Sequence, residues 1–339
     1  MGGTLTQLVF DGVADGPVGV ALDIVGAAAR IARAGLVALP KGRQAPRHRL
    51  VSMDGKPVRT ATKRVLEVDG ALSPRTLDSD DVLVLPGLGM ATPPAITAAL
   101  ERPDIVRGVE SVARAAAKGV RVAASCSATF VLGAAGVLDG QQATTTWWLG
   151  STFTQRFPRV TLRTDRMVVE SGDVLTAGSA FAHSDLLLAL LARRVSPSLA
   201  HMVARYLVLD ERASQSHYMV LEHLRSADPV VRQLESFVTS NLARQVTVHD
   251  MARATATSPR TLARRVGSAL GTTPQHFAQR LRIAQAVHLL ETTRRSVDEV
   301  AAQVGYADPA AFRRVFRRET GETPRARRTR AALRASPTR

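Results

Sequence analysis

One pattern is written twice in the last third of this chain, fifty residues apart. Gly271-Thr272-Thr273-Pro274 recurs as Gly321-Glu322-Thr323-Pro324, and Pro259, Leu262, Arg264 and Val266 map onto Pro309, Phe312, Arg314 and Phe316. Just upstream the offset is forty-nine: Val248, Met251, Ala252 and Ala256 map onto Val297, Val300, Ala301 and Gly305. Each copy reads as a short helix, a tight turn held by a small residue, and a second helix rich in Arg. Such a duplicated unit leaves little choice of fold for this region: helices only, each pair packed through its turn.

In the first copy Ser258 is a good N-cap and Pro259 a good first-turn residue. Leu262 and Val266 face inward at i, i+4, which leaves Arg260, Thr261, Ala263, Arg264 and Arg265 outside. In the second copy Asp308 caps, Phe312 and Phe316 face inward, and Arg313, Arg314, Arg317 and Arg318 lie outside. Between them, residues 274–292 read as one longer helix with Phe277, Leu281, Ala284, Val287 and Leu290 on one face. A helix fits the major groove of duplex DNA, where Arg offers a fork to guanine and further Arg residues neutralise phosphates. Two units on a rigid connecting helix suit successive turns of one DNA face, about 34 Å apart.

These residues resemble the C-terminal domain of AraC/XylS-type transcription regulators, over about 230–328. The resemblance is carried by residues 258–265, 290–293, 297–301, Gly305-Tyr306, 312–318 and 321–324. It implies that Arg260, Ala263 and Arg264 of the first recognition helix face bases, and Ala310, Arg313 and Arg314 of the second. Ala256 stands where the family usually has Gly, and Val266 where Phe is usual. Ala310 and Ala311 replace polar residues, so the second unit is expected to grip backbone more than it reads bases.

Charge supports the same division. The chain has 339 residues and a net charge of +16, of which +12 falls within residues 241–339. A basic module joined to a nearly balanced one fits a nucleic-acid reader attached to something else. The one cysteine, Cys126, excludes an intrachain disulfide and favours a reducing compartment, so a cytoplasmic protein is expected. No signal peptide and no membrane span are read, and with one Cys and no His spacing of ligand type neither a metal nor another cofactor is expected.

Residues 1–194 alternate strand and helix. Val82–Leu85 is a continuous apolar run closing on Pro86-Gly87-Leu88-Gly89, as in a buried parallel strand. Strands are also read at Gln7–Phe10 and Val120–Ala124, and helices at Val18–Arg33, Ile105–Lys118, Thr129–Ala135 and Ala180–Arg194. The pattern predicts a flavodoxin-like α/β sandwich with a parallel sheet. Residues 195–229 read as a helical linker that caps this domain or mediates dimerisation. Residues 230–328 form the all-α domain with two helix-turn-helix units, and 329–339 a basic disordered tail.

Residues 120–124 run into Ser125-Cys126-Ser127, with a helix following. A nucleophile on such a turn gains a low pKa and open access above the sheet. Pro86-Gly87-Leu88-Gly89 ends a neighbouring strand, where the backbone N–H groups that follow Pro86 could form an oxyanion hole. Residues 82–89, Cys126, 135–140 and 143–147 resemble the PfpI/ThiJ superfamily, with the class I glutamine amidotransferase-like fold. With the AraC-type end, the whole resembles the GlxA-type group of regulators. The superfamily's His before the Trp is here Thr146, its acidic position on the first helix is Ala29, and Ser127 replaces the His of protease-like members. His183 and Asp185 match no catalytic position.

The chemistry is therefore read as dismantled and the pocket as kept. Its expected members are Asp11, Gly87, Leu88, Cys126, Ser127, Trp147 and His183, with Cys126 at the floor and His183 at the edge. Asp11 and Asp15 lie near the carboxyl edge of the sheet, where ligands bind in open α/β folds. The expectation is a non-enzymatic regulator of transcription, an activator by resemblance, that binds double-stranded DNA. Its further partners are RNA polymerase, an unknown small-molecule effector and a second copy in a homodimer. Two other readings are a thiol-dependent hydrolase or hydratase using Cys126, and a ligand-free architectural DNA binder.

Overall fold

The computed structural model describes residues 3–90, 92–210, 212, 215, 228–270 and 272–335. They fall into two compact units, Met1–Gln215 and Ser216–Arg339.

The first unit begins with β1 (Thr4–Leu8), α1 (Asp15–Arg33) and β2 (Arg47–Val51), then a small antiparallel pair, β3 (Val58–Arg59) and β4 (Val65–Leu66). There follow β5 (Val82–Leu85), α2 (Pro93–Leu100), α3 (Pro103–Ala117), β6 (Arg121–Ser125), α4 (Thr129–Ala134) and β7 (Gln142–Ala143). Next come α5 (Gly150–Arg156), β8 (Thr161–Leu162), β9 (Val168–Ser171), β10 (Val174–Ala177), α6 (His183–Arg194) and α7 (Pro197–Tyr206).

Six strands form one sheet in the order β2-β1-β5-β6-β10-β9, parallel except for the last pair. All four residues of β5 are buried, as a strand covered on both faces requires. One face packs α1, α6 and α7 around Ile24, Leu187, Leu199 and Val203. The other packs α2, α3, α4 and α5 around Leu83, Ile105, Phe130 and Phe153. The first strand lies at Thr4–Leu8, earlier than the Gln7–Phe10 of the sequence reading, and α1 starts three residues earlier than read, with Pro17 in its first turn.

Two expectations change here. The α/β unit does not stop at residue 194: Ser196 caps α7, and Leu199 and Val203 are buried against α1 and α6. The start of the expected linker is therefore part of the domain core. The helix ends at Tyr206, and Val208 takes a left-handed backbone; of the remaining expected helix, residues 211, 213, 214 and 216–227 lie outside the described residues.

The second unit contains α8 (Pro229–Ser240), α9 (Val248–Ala254), α10 (Pro259–Leu270), α11 (Pro274–Thr292), α12 (Val297–Gln303), α13 (Pro309–Thr320) and α14 (Pro324–Ala335). The repeat extends to its caps. Thr247 and Asp250 form a capping box on α9, and Ser296 and Glu299 form the matching box on α12. Ile283, Ala286 and Leu290 of α11 close the core with Val300, Ala301, Phe312 and Phe316. The basic tail expected to be disordered is helical as far as Ala335, because Pro324 opens a helix that packs on α11 and Arg327 pairs with Glu291 and Glu322. Among the described residues, no helix is long and apolar enough to cross a membrane.

Candidate sensing site and nucleic-acid interface

The turn after β6 has the strained geometry of a nucleophile elbow. Cys126 adopts φ +55°, costly for a residue with a Cβ. Two threonines hold it: Thr129 Oγ1 and Thr145 Oγ1 donate to the Cys126 carbonyl at 2.8 and 3.0 Å. Gly87 lies so close that an added Cβ would sit 2.9 Å from the Cys126 Cβ.

The chemistry at this turn is the reverse of activation. Cys126 is 7% exposed, and burial pushes its thiol pKa up, against the smaller opposing effects of Ser127 and Thr146. The thiolate is thus disfavoured at neutral pH, which overturns the low pKa inferred from the turn alone. The expected oxyanion hole is also closed: the Leu88 N–H donates to Ser127 Oγ at 3.0 Å.

The pocket drawn from the sequence is not assembled as an open cavity. Gly87, Leu88, Cys126 and Ser127 come together, but all are buried. Trp147 is half-buried, its ring edge-on to Trp148 at 5.2 Å, and Trp148 packs against the core. Asp11 is exposed. It lines a cleft of about 390 Å³ with Asp54, Lys56, Asp104 and Arg107. Its carboxylate accepts from the Arg59 N–H at 2.7 Å. Asp15 opens α1 rather than lying in the loop.

His183 is not at a pocket edge. It is fully buried at the start of α6, with its ring against side chains of β1 and β6. Its Nδ1 lies 2.9 Å from Ser125 Oγ and its Nε2 3.4 Å from Gln7 Nε2. Gln7 Oε1 in turn lies 3.0 Å from His48 Nε2. Burial, with His48 nearby, holds the His183 pKa down to about 3, so the ring is neutral. One tautomer satisfies the chain: Gln7 donates to His183 Nε2, and His183 Nδ1–H donates to Ser125. The chain His48–Gln7–His183–Ser125 was not read from the sequence. Its members come from β2, β1, α6 and β6, and no local spacing links them.

In the second unit α10 and α13 present matching surfaces over closed cores. Leu262 and Val266 are buried under α10, and Phe312 and Phe316 under α13. Arg260, Ala263 and Arg264 are exposed, as are Ala310, Arg313, Arg314, Arg317 and Arg318, while Thr261 and Arg265 are half-buried. Ser258 caps α10 by accepting from the Thr261 N–H at 3.1 Å.

The arginines differ in what holds them. Arg265 lies 3.3 Å from Asp228, which caps α8, so it ties two helices together. Arg318 reaches Glu319 at 2.9 Å and Gln279 of α11 at 2.6 Å. Arg313 pairs with Asp298 at 2.5 Å, and Arg314 approaches Asp308 at 3.9 Å. Arg260, Arg264 and Arg317 have no ion pair among the described residues.

Comparison with known proteins agrees with both halves. Residues 34–193 match the DJ-1/PfpI family, and residues 251–330 match a helix-turn-helix domain. The HTH-type transcriptional regulator ArgR of Pseudomonas aeruginosa is 29% identical over 213 residues, 62% of this chain and 64% of its own length. The HTH-type transcriptional regulator GlxA of Rhizobium meliloti is 28% identical, over 63% of this chain and 66% of its own length. The match thus spans slightly under two thirds of these relatives. CdhR of Pseudomonas aeruginosa, also an HTH-type transcriptional regulator, is 27% identical over 82% of this chain and 80% of its own length. A crystallised protein of Vibrio parahaemolyticus superposes with a TM-score of 0.50, covering 61% of this chain and all of its own at 17% identity, which supports the α/β fold alone.

Proposed function

We propose that this chain, a DJ-1/PfpI-family domain joined to an AraC-type helix-turn-helix domain, is a DNA-binding regulator of transcription whose α/β unit works by binding rather than by turnover. The observation that carries it is the pair of capped, closed-core helix-turn-helix units on α11, each with an Arg-bearing second helix outward. Within them Arg260 and Arg264 are the base readers: both are exposed on the second helix of the first copy, and neither is tied into an ion pair among the described residues. Arg313, Arg314 and Arg317 favour the phosphate backbone, and Arg265 and Arg318 hold helices in place. Double-stranded DNA is the first partner; RNA polymerase and a second copy of the chain complete the reading, which is that of an activator.

The α/β unit supplies the signal. A small-molecule effector fits the cleft beside Asp11, near the carboxyl edge of the sheet, better than the closed floor at Cys126. Absence of turnover rests on the raised thiol pKa and on Thr146 where a base would stand.

The test is selection of bound duplexes from a random pool by the full chain. Enrichment of one sequence, bound about 10³-fold more tightly than competitor DNA, supports the reading. Equal affinity for all duplexes would leave only an architectural binder. Turnover of a substrate that disappears in Cys126→Ala would restore an enzyme.

A further inference from the structure

The residue that ends the α/β unit is buried inside it. Gln215 is 1% exposed, although the chain continues from it into the second unit. Its Nε2 donates to Thr144 Oγ1 at 3.0 Å, Thr145 O at 3.1 Å and Arg166 O at 3.2 Å. Its Oε1 is buried with no hydrogen-bond partner among the described residues. Three acceptors share two N–H groups, and an acceptor is left unmet, so this docking is far from optimal. Three residues earlier, Arg212 grips Asp185 through two contacts, NH2 to Oδ2 at 2.5 Å and Nε to Oδ1 at 3.3 Å.

The slot has one member shared with the elbow. Thr145 accepts Gln215 on its backbone carbonyl, while its hydroxyl holds the Cys126 carbonyl at 3.0 Å. The adjacent Thr146 hydroxyl is buried beside the Cys126 thiol. The strained φ of Cys126 needs such support from its neighbours.

We propose that Gln215 is an intramolecular ligand whose carboxamide, docked between Thr145 and Gly178, keeps the Cys126 elbow closed. Undocking of Gln215 and opening of the elbow are one equilibrium. By linkage, whatever binds the opened elbow releases Gln215, the residue at the boundary with the DNA-reading unit. That last consequence rests on the proposed function; the docking equilibrium does not.

Gly178 supplies a clean test. Its backbone lies outside the left-handed region, and the three heavy atoms nearest to an added Cβ all belong to the Gln215 side chain, the closest at 2.3 Å. Gly178→Ala therefore forces the Gln215 carboxamide out of its present position. Cys126 is the one cysteine of the chain, so alkylation by iodoacetamide at fixed pH reads the elbow directly. In the full-length protein, Gly178→Ala and Gln215→Ala should each speed alkylation about tenfold or more. The double variant should react no faster than the quicker single variant, because both act through one event. The accelerated rate should stay flat in low urea, the mark of a local rather than a global opening. Unchanged alkylation in both variants overturns the proposal, as does a rate that rises with urea from the first addition. If Gln215→Ala fails to fold, Gln215→Asn, too short to reach the three acceptors, carries the same expectation. Specific DNA binding by the unaltered chain is measured separately. Its absence would overturn the regulator reading and leave the alkylation result standing.

Discussion

Ala256 and Gly305 occupy equivalent turns, and both have left-handed backbone, at φ +49° and +84°. Gly305 also faces a wall: an added Cβ would lie 2.4 Å from the Leu242 carbonyl oxygen. Gly305→Ala should therefore cost about 2–4 kcal/mol, conformational strain plus a clash with backbone. Ala256→Gly relieves strain alone and should stabilise by about 0.5–1 kcal/mol. Urea unfolding followed by helical circular dichroism measures both; a destabilised Ala256→Gly would mean that the turn is not strained. His183 gives a pH prediction with a definite sign. Its pKa is about 3 in the fold and that of a free imidazole when unfolded. The unfolded chain thus binds the extra proton first, and stability falls as pH drops from about 6.5 toward 3, by about 1.4 kcal/mol per unit. His183→Gln should flatten that slope by one proton between pH 6 and pH 4. An unaltered slope would show that the ring is not kept neutral by burial.

Neighbouring arginines on one helix take different roles because of what packs beside them. Arg264 is exposed on α10, whereas Arg265 is tied to Asp228 at the start of α8. On the proposed reading, Arg264→Ala weakens binding to the selected sequence by about 1–3 kcal/mol and relaxes one base position. Arg265→Ala should lower stability modestly and weaken all duplexes alike. Competition binding at matched salt separates the two; equal loss from Arg264→Ala on random DNA would remove it from the base readers. Caps act at the same scale. Thr247→Ala opens the capping box of α9 and should cost about 1 kcal/mol of stability in urea unfolding.

For the molecule as a whole, the two copies predict an unequal footprint. The first copy keeps Arg260 and Arg264 outside ion pairs, while in the second Arg313, Arg314 and Arg318 already lie beside acidic residues. Base substitutions in the half-site under α10 should each cost about 1–3 kcal/mol, and those under α13 clearly less. Equal penalties in both halves would contradict this. Much of the architecture was legible in the chain by itself. The apolar run 82–85, the alternation of strand and helix, and the duplicated turns are local patterns, and local patterns report periodicity and backbone conformation. They also reported the departures from enzyme chemistry, since Thr146 and Ala29 are identities rather than geometries. What the sequence could not determine is whether a residue at a ligand-binding edge faces solvent. Cys126, Leu88 and His183 sit where a pocket belongs in such folds, yet all three are buried: Leu88 in the core with residues of α2–α5, His183 against Gln7 and Ser125, and Cys126 beside Thr129 and Thr145, where burial drives the thiol away from its reactive form. The contacts of His183 with Ser125, 58 residues away, and of Gln215 with Thr144, 71 residues away, follow from the same cause. Burial and long-range partners depend on how the elements pack, and only the tertiary structure decides that.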